Sequence, residues 1–233
     1  MQTHWRLAFM FDAKDGDLAR LAAALGGAHD AIHAAASNNR VRIGTVIPVE
    51  DENHGSAAHD GSEWRTVDGA IEVTIANGCE QAIPDICRAM RPVLDVLAAP
   101  GSIEVMAGAM HFMVPIQPGN TFLSLAFRRY PGTTVDEFRR WWHDQHGPLA
   151  IPVLGAELFA YDQVHVDRAM SAAAAEALGV ADIEYDAYDN LTFASRADFL
   201  KACSDLDGMT RIAADEVGRI DNATRRHALM LEI

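Results

Sequence analysis

One order of elements occurs twice in this chain, and it limits the folds that the chain can adopt. Apolar periodicity predicts strand, helix, strand, strand, helix and strand in each half. In the first half these elements span 5–11, 16–37, 41–50, 67–76, 79–98 and 101–114. In the second half they span 122–129, 134–146, 158–166, 185–193, 196–208 and 226–233. The tripeptide Leu-Ala-Phe occurs at the same point of both copies, at 7–9 and 125–127.

Each βαββαβ unit predicts a ferredoxin-like sheet with two helices on one face. The bare face of such a sheet has to be buried, and two units in one chain can bury theirs against each other. We therefore predict an α+β fold in which two tandem units form a pseudo-twofold pair. The first unit is expected at residues 1–115 and the second at 121–233. Residues 116–120, between them, have the composition of a linker.

Three local features qualify these units. A polar excursion covers 51–65 in the first unit, and an insert covers 167–178 in the second, with a short helix predicted at 172–175. Pro92 lies inside the second predicted helix of the first unit. Because proline lacks an N–H and clashes with the preceding turn, we expect Pro92 to kink or split that helix.

The first helix of the second unit carries the most informative motif. Thr134 followed by Glu137 is a capping box, and Gly147 followed by Pro148 predicts the end of the helix. At about 100° per residue, His146 lies at the edge of the apolar face, close in azimuth to Trp142. His143 falls away from that face and is expected to face water.

The run from Phe127 to Leu149, with its Trp-Trp-His-Asp-Gln-His-Gly-Pro segment, resembles the EthD-like family. The resemblance is best over 119–233, although Asn190 and Thr192 stand where the family usually has an acidic residue and a tryptophan. It implies a dimeric α/β-barrel fold with a pocket between sheet and helices, and it transfers a site role to His146 alone. Proteins of similar fold include cofactor-free monooxygenases, lactone isomerases, polyketide cyclases, dehydratases and haem enzymes.

Each candidate site residue has a structural alternative. His146 is either an acid/base group or a cap on the helix C-terminus, where the dipole favours a charged imidazole. His165 shares a strand face with aromatic and polar residues, which suits a pocket or an exposed sheet edge. Arg128 could bind a substrate carboxylate or form a surface ion pair, and Asp189 could orient a histidine. The predicted pocket walls are Trp142, Phe159, Tyr161 and His165.

Composition narrows the function classes. The net charge of −14 argues against nucleic acid and anionic membrane surfaces as partners. The sequence has no glycine-rich phosphate loop, no GxSxG, no HExxH and no CxxC, and the spacing of His143 and His146 lacks further metal ligands. We expect no metal. Three cysteines without a framework, and no signal peptide, predict a cytoplasmic protein.

The leading hypothesis is a cofactor-free lyase or isomerase for a small apolar or aromatic metabolite of a catabolic or secondary-metabolite pathway. His146 would be the acid or base for isomerisation, dehydration or cyclisation. The first alternative is a haem protein or cofactor-free oxygenase of the same fold, with His146 or His165 as the axial haem ligand. The second is a non-catalytic accessory protein of an oxidative degradation system. A homodimer of the tandem chain is compatible with all three.

Overall fold

The computed structural model describes residues 4–37, 39–47 and 65–233, and the doubled βαββαβ order is confirmed there. The excursion predicted over 51–65 lies outside the described residues except for Arg65. The first unit consists of β1 (His4–Phe11), α1 (Leu18–Ala35), β2 (Arg40–Val46), β3 (Arg65–Thr66), β4 (Gly69–Ala76), α2 (Ile83–Leu97) and β5 (Glu104–Val114). The second consists of β6 (Thr121–Arg129), α3 (Val135–Trp141), a π-helix (Trp142–His146), α4 (Gly147–Leu154), β7 (Leu158–Val166), α5 (Arg168–Leu178), β8 (Ala187–Phe193), α6 (Arg196–Ala202), α7 (Leu206–Glu216) and β9 (Ile220–Glu232).

The two units share one closed sheet. Within the units the strand orders are β2-β4-β1-β5 and β7-β8-β6-β9, which is the same ferredoxin-like order twice. Antiparallel pairing of β5 with β7 and of β9 with β2 then closes an eight-stranded barrel. The two-residue β3 adds a parallel pairing to β9. The pseudo-twofold pair is therefore joined edge to edge, and the predicted limits of 1–115 and 121–233 stay a prediction because no separate body corresponds to either.

Strand alternation separates three apolar cores. On β1, Leu7, Phe9 and Phe11 pack outward beneath α1 and α2, whereas Ala8 and Met10 point into the barrel. This is the two-residue period of a strand that is buried on both faces. A third core, beneath the helices of the second unit, holds further aromatic residues of that half, among them Phe127, Phe138 and Trp142.

A charged layer crosses the barrel interior. Arg6 donates to Glu72 at 2.6 Å and to Asp162 at 3.2 Å, and all three side chains are buried. Tyr188 and Asn190 also donate to Glu72. Burying charges is tolerated only with such pairing. Asp162 is therefore part of this charged layer.

Two predicted helices differ from the sequence expectation. α2 runs through Pro92 without a break, so the predicted split is wrong. The insert forms α5, which is longer than predicted and begins at the cap Asp167. α5 packs on the first unit, where the Ser171 hydroxyl bonds both the N–H and the carbonyl of Ala107. The insert of one unit therefore covers a strand of the other.

The motif helix does not end at Gly147 and Pro148. Gly147 is helical, with φ −56° and ψ −53°, and its N–H donates to the Trp142 carbonyl five residues back. That i→i−5 bond belongs to the π-helix, and α4 continues to Leu154. Pro148 lies in the first turn of α4, where a missing N–H costs nothing. Gly155, with φ +67°, ends the helix instead.

Candidate functional site

A cavity of about 90 Å³ lies between the second unit's sheet and helices α4, α6 and α7. Most of its wall is apolar, and its polar groups are gathered from the π-helix, three strands and the end of α7. These polar groups are His146, Tyr161, Asp189, Glu216 and His227. The apolar lining includes Leu123, Leu125, Ala150, Leu154, Leu191, Phe193, Phe199, Cys203, Met209, Ile212 and Ala213. An apolar pocket with a few convergent polar groups is the usual form of a small-molecule site.

His146 is buried and held between two consecutive carboxylates of α7. Its Nδ1 lies 3.0 Å from Asp215 Oδ2, within hydrogen-bond distance. Its Nε2 lies 3.8 Å from Glu216 Oε1, which is too long for a hydrogen bond. The ring also packs on Trp141, at 5.0 Å between centroids. Nδ1 is therefore occupied, and Nε2 is the nitrogen left to meet a ligand.

The carboxylates raise the pKa of His146. Burial alone lowers the pKa of the imidazole, but the hydrogen bond to Asp215 and the charges of Glu216, Asp189 and Asp215 outweigh burial. The net pKa lies above the usual 6.5. In turn, the hydrogen bond with His146 lowers the pKa of Asp215. The neighbouring carboxylates therefore favour the protonated form of the ring.

The pKa of Asp189 is raised as well. Burial, and after it the charge of Glu216, raises the pKa of Asp189 to about 7, against the lowering effects of His146, Tyr161 and Arg225. Asp189 Oδ1 is buried and has no hydrogen-bond partner within the described residues. The cavity thus contains an imidazole and a carboxyl whose pKa values are both raised.

Two polar side chains hold the carboxyl in place. The Tyr161 hydroxyl bonds Asp189, and it accepts a hydrogen bond of 2.9 Å from Gln163 Nε2. The same nitrogen donates to the Trp142 carbonyl at 2.9 Å. This bond links β7 to the first residue of the π-helix and so sets the position of His146 relative to Asp189.

Arg225 neutralises the second carboxylate of α7. Its guanidinium is buried, and Nη2 donates to Glu216 Oε2. Arg225 is on β9, so the last strand of the unit holds the end of α7 against the π-helix. The ion pair with Arg225 thereby offsets the negative charge of Glu216, whereas the carboxyl of Asp189 does not take part in that pair.

Trp142 does not line the cavity, contrary to prediction. Its ring is fully buried between Phe127, at 5.5 Å, and Phe138, at 5.6 Å. The prediction assumed 3.6 residues per turn, which puts Trp142 next to His146. A π-helix closes its turn one residue later, so Trp141 is the neighbour of His146.

His165 is also outside the cavity. It stacks on Trp142, at 5.2 Å, and on His111, at 4.1 Å between ring centroids. His143 completes this group at 5.4 Å from His111, although its side chain is 43 % exposed. The prediction that His143 faces water is therefore only half right. Burial, with the nearby positive groups His111, Arg139 and His143, lowers the pKa of His165 to about 3.

Phe159 and Arg128 are likewise outside the cavity. A register shift between Leu158 and Ala160 interrupts β7 at Phe159, so its phase with Tyr161 is lost. Arg128 Nε donates to the Ile183 carbonyl at 3.1 Å, which fixes the segment before β8. Of the predicted site residues, the structure brings together His146, Tyr161 and Asp189.

Sequence reasoning missed four polar groups of this region as site residues. Asp215 and Glu216 stood out only as part of the family resemblance. Arg225 and His227 are on β9, and no local pattern marks them because strand pairing across the sheet brings them to the site.

Two negative findings apply to the described ranges, 4–37, 39–47 and 65–233. No group of three or more His, Cys, Asp or Glu side chains there is arranged to hold a metal ion. No helix there is both long and apolar enough to cross a membrane.

The closed barrel, built from two ferredoxin-like units with a pocket between the sheet and the helices of the second, defines a dimeric α/β-barrel protein. Residues 130–223 match the family model of the EthD domain. The match contains α3, the π-helix, Asp189 and the α7 carboxylates, and it ends before Arg225. None of the curated proteins matches the sequence.

Solved structures share the fold across the whole chain. An anthrone oxidase-like protein has a TM-score of 0.55 at 7 % identity, over 100 % of this chain and 92 % of its own. A mutant chlorite dismutase from Candidatus Nitrospira defluvii has a TM-score of 0.54 at 10 % identity, over 99 % and 91 %. Chlorite dismutase from the same organism in complex with imidazole has 0.54 at 10 %, also over 99 % and 91 %. At such identities the likeness concerns the fold alone.

Proposed function

We propose that this protein is a small-molecule enzyme of the lyase or isomerase type, in which His146 and Asp189 form an acid/base pair without a cofactor. The observation that supports the proposal is the pairing of a carboxylate-held His146 with an unpartnered Asp189 Oδ1 at one apolar cavity of the described chain. A histidine with a raised pKa beside a carboxyl with a pKa of about 7 suits proton transfer, which contributes about 10²–10⁴-fold to a rate.

The two groups have different roles in this proposal. His146 is the acid, since Asp215 and the neighbouring charges keep its ring protonated. Asp189 is the base, since burial brings its pKa to about 7 and its Oδ1 has no other partner within the described residues. This differs from the sequence hypothesis, in which His146 was the acid or base and Asp189 served to orient a histidine or bind substrate.

Titration of His146 tests the pair. In protein labelled with [¹³C]histidine, NMR should show a His146 pKa above 6.5, and Asp189→Asn should lower it because the Asp189 charge is removed. Asp136→Asn, at an exposed position of α3, is the matched control. A His146 pKa below 6.5, or a His146 pKa that is the same in wild-type protein and in Asp189→Asn, contradicts the proposal.

Haem has less support as a partner of these residues. His165 is enclosed by Trp142 and His111, and the cavity beside His146 is about 90 Å³, whereas pockets for drug-sized ligands hold about 300–1,000 Å³. The residues present therefore do not fit a porphyrin. Addition of haem to the purified protein, followed by its absorbance spectrum, should give no Soret band of a ligated haem.

A non-catalytic accessory role would use the same cavity. Native mass spectrometry of the freshly purified protein identifies any retained metabolite. An enzyme should convert that metabolite, and His146→Gln should bind it without turnover, whereas an accessory protein should return it unchanged.

A further inference from the structure

The polar groups of the cavity also indicate a substrate class, if the acid/base pair acts as proposed. We infer that the site takes small, uncharged, enolisable carbonyl compounds. The inference deepens the proposed function and depends on it. It rests on which atoms donate, which accept, and which charges are already neutralised at the cavity.

The donor and the acceptor are separate groups. His146 Nδ1 is used by Asp215, so only the Nε2 hydrogen is left for a ligand. Asp189 Oδ1 is left as an acceptor within the described residues. A carbonyl oxygen needs a donor, and a hydrogen on the adjacent carbon needs a base. The pair meets both needs of a carbon acid, and the apolar wall takes the rest of the molecule.

The charges disfavour an anionic substrate. Arg225, the buried guanidinium beside the cavity, already pairs with Glu216. The positive charge of His146 is balanced by Asp215, so neither of these two described cations is in surplus for a carboxylate or phosphate. Placing an unpaired charge among leucine and phenylalanine side chains is costly. The substrate is therefore neutral where it enters the cavity.

The size limits the reacting part. A cavity of ~150 Å³ in another protein holds benzene, and this one is about 90 Å³. It therefore accepts roughly four heavy atoms as it stands, by proportion to that benzene site. A larger substrate would require α6 and α7 to move away from the sheet.

The step balances without an oxidant or reductant. Asp189 Oδ1 takes the proton of the carbon next to the carbonyl, and the C–H bonding pair forms the carbon–carbon double bond. The carbonyl π pair moves to oxygen, where the Nε2 hydrogen of His146 stabilises or protonates it. Return of the proton from Asp189 to the same carbon completes an exchange, and its return to the γ-carbon of a β,γ-unsaturated carbonyl compound completes an isomerisation. In both cases Nε2 of His146 takes back any proton that it gave to oxygen. Neutral carbonyls with such a hydrogen are the compounds for which this pair is a complete catalyst.

Hydrogen exchange tests the substrate class without the natural substrate. Acetone, which matches the size of the cavity, is incubated with the protein in D₂O, and loss of its proton signal is followed by ¹H NMR. We expect wild-type protein to accelerate exchange, and Asp189→Asn and His146→Gln each to reduce the enzymatic rate by about 100-fold or more. Asp189→Glu, which keeps the carboxyl, should retain part of the rate. Asp136→Asn and His143→Gln, outside the cavity, should retain the full rate.

The outcomes separate the two proposals. If wild-type protein accelerates no exchange although His146 and Asp189 titrate as proposed, the substrate class is wrong and the acid/base pair stands. If the titrations fail, the proposed function fails first. Exchange that persists in a folded Asp189→Asn variant, checked by circular dichroism, also overturns the inference because the base would lie elsewhere.

Discussion

Asp189 shows how burial at one residue connects function to stability. Its carboxyl lies among apolar side chains, and burial is the largest cause of its raised pKa. A structural role would have favoured Asn, which keeps the shape without the ionisation. Retaining Asp costs stability at neutral pH and supplies a base that is ready near pH 7.

The pH dependence of unfolding should report this cost. Between about 3.9, the pKa of an unfolded Asp, and about 7, the folded protein holds a proton that the unfolded chain releases. Stability therefore falls as pH rises through that window, by up to about 1.4 kcal/mol per pH unit for this group. Asp189→Asn should remove this slope in urea unfolding measured from pH 4 to 8. The exposed Asp136→Asn variant should keep the wild-type slope. If the Asp189→Asn variant has the same slope as wild-type protein, the assigned pKa of Asp189 is wrong.

At the scale of the element, the π-helix decides which residues become functional. It turns His146 toward Asp215 and the cavity, puts Trp141 on that ring, and leaves Trp142 to the core. His143, three residues earlier, joins His111 and His165 instead. The five residues of the π-helix thus contribute to two separate sites. His146 belongs to the cavity, and His143 belongs to the histidine cluster, against which Trp142 packs.

The cluster of His111, His143 and His165 beside the π-helix should make the stability of the folded protein sensitive to acid. The pKa of folded His165 is about 3, and that of an unfolded histidine is about 6.5. Between these values only the unfolded chain binds the proton, so stability is lost as pH falls. His165→Phe keeps a ring against Trp142 and removes the titration. Its urea unfolding should be less acid-sensitive than that of wild-type protein from pH 6.5 to 4, and parallel curves would refute the assignment.

Local sequence patterns predicted the positions of helices and strands better than the direction in which their side chains point. The capping box of Thr134 and Glu137 forms as predicted, because both partners lie within one turn. No local pattern predicted the π-helix. The Trp142 carbonyl, which accepts its i→i−5 bond, also accepts a hydrogen bond from Gln163 on β7, and that contact is not visible in the sequence of the helix. His146 and Asp189 were found from the sequence, whereas Arg225 reaches the site only through the pairing of β9 with β6.

At the scale of the molecule, the two strand pairings that join the units, called seams below, couple the units in a way that two separate domains would not be coupled. The β5–β7 and β2–β9 pairings close the barrel, and they bring backbone of one unit against backbone of the other. The charged layer also crosses between units, because Arg6 and Glu72 come from the first and Asp162 from the second. Folding of either unit is therefore coupled to the other, and the site in the second unit depends on the first for its sheet edges.

Gly108 gives a direct test of this coupling. A Cβ at this position of β5 would lie 2.3 Å from the His165 carbonyl oxygen and 2.7 Å from the Val166 Cα, across the seam. Backbone atoms cannot give way as a flexible side chain can, so Gly108→Ala should lower the free energy of unfolding by about 1–3 kcal/mol. Gly26→Ala, at an exposed position of α1 with no atom within 4 Å of the added Cβ, should instead raise it by about 0.5–1 kcal/mol. Urea unfolding of both variants checks the pair, and a Gly108→Ala protein as stable as wild type would mean that the two units are not held together at this seam.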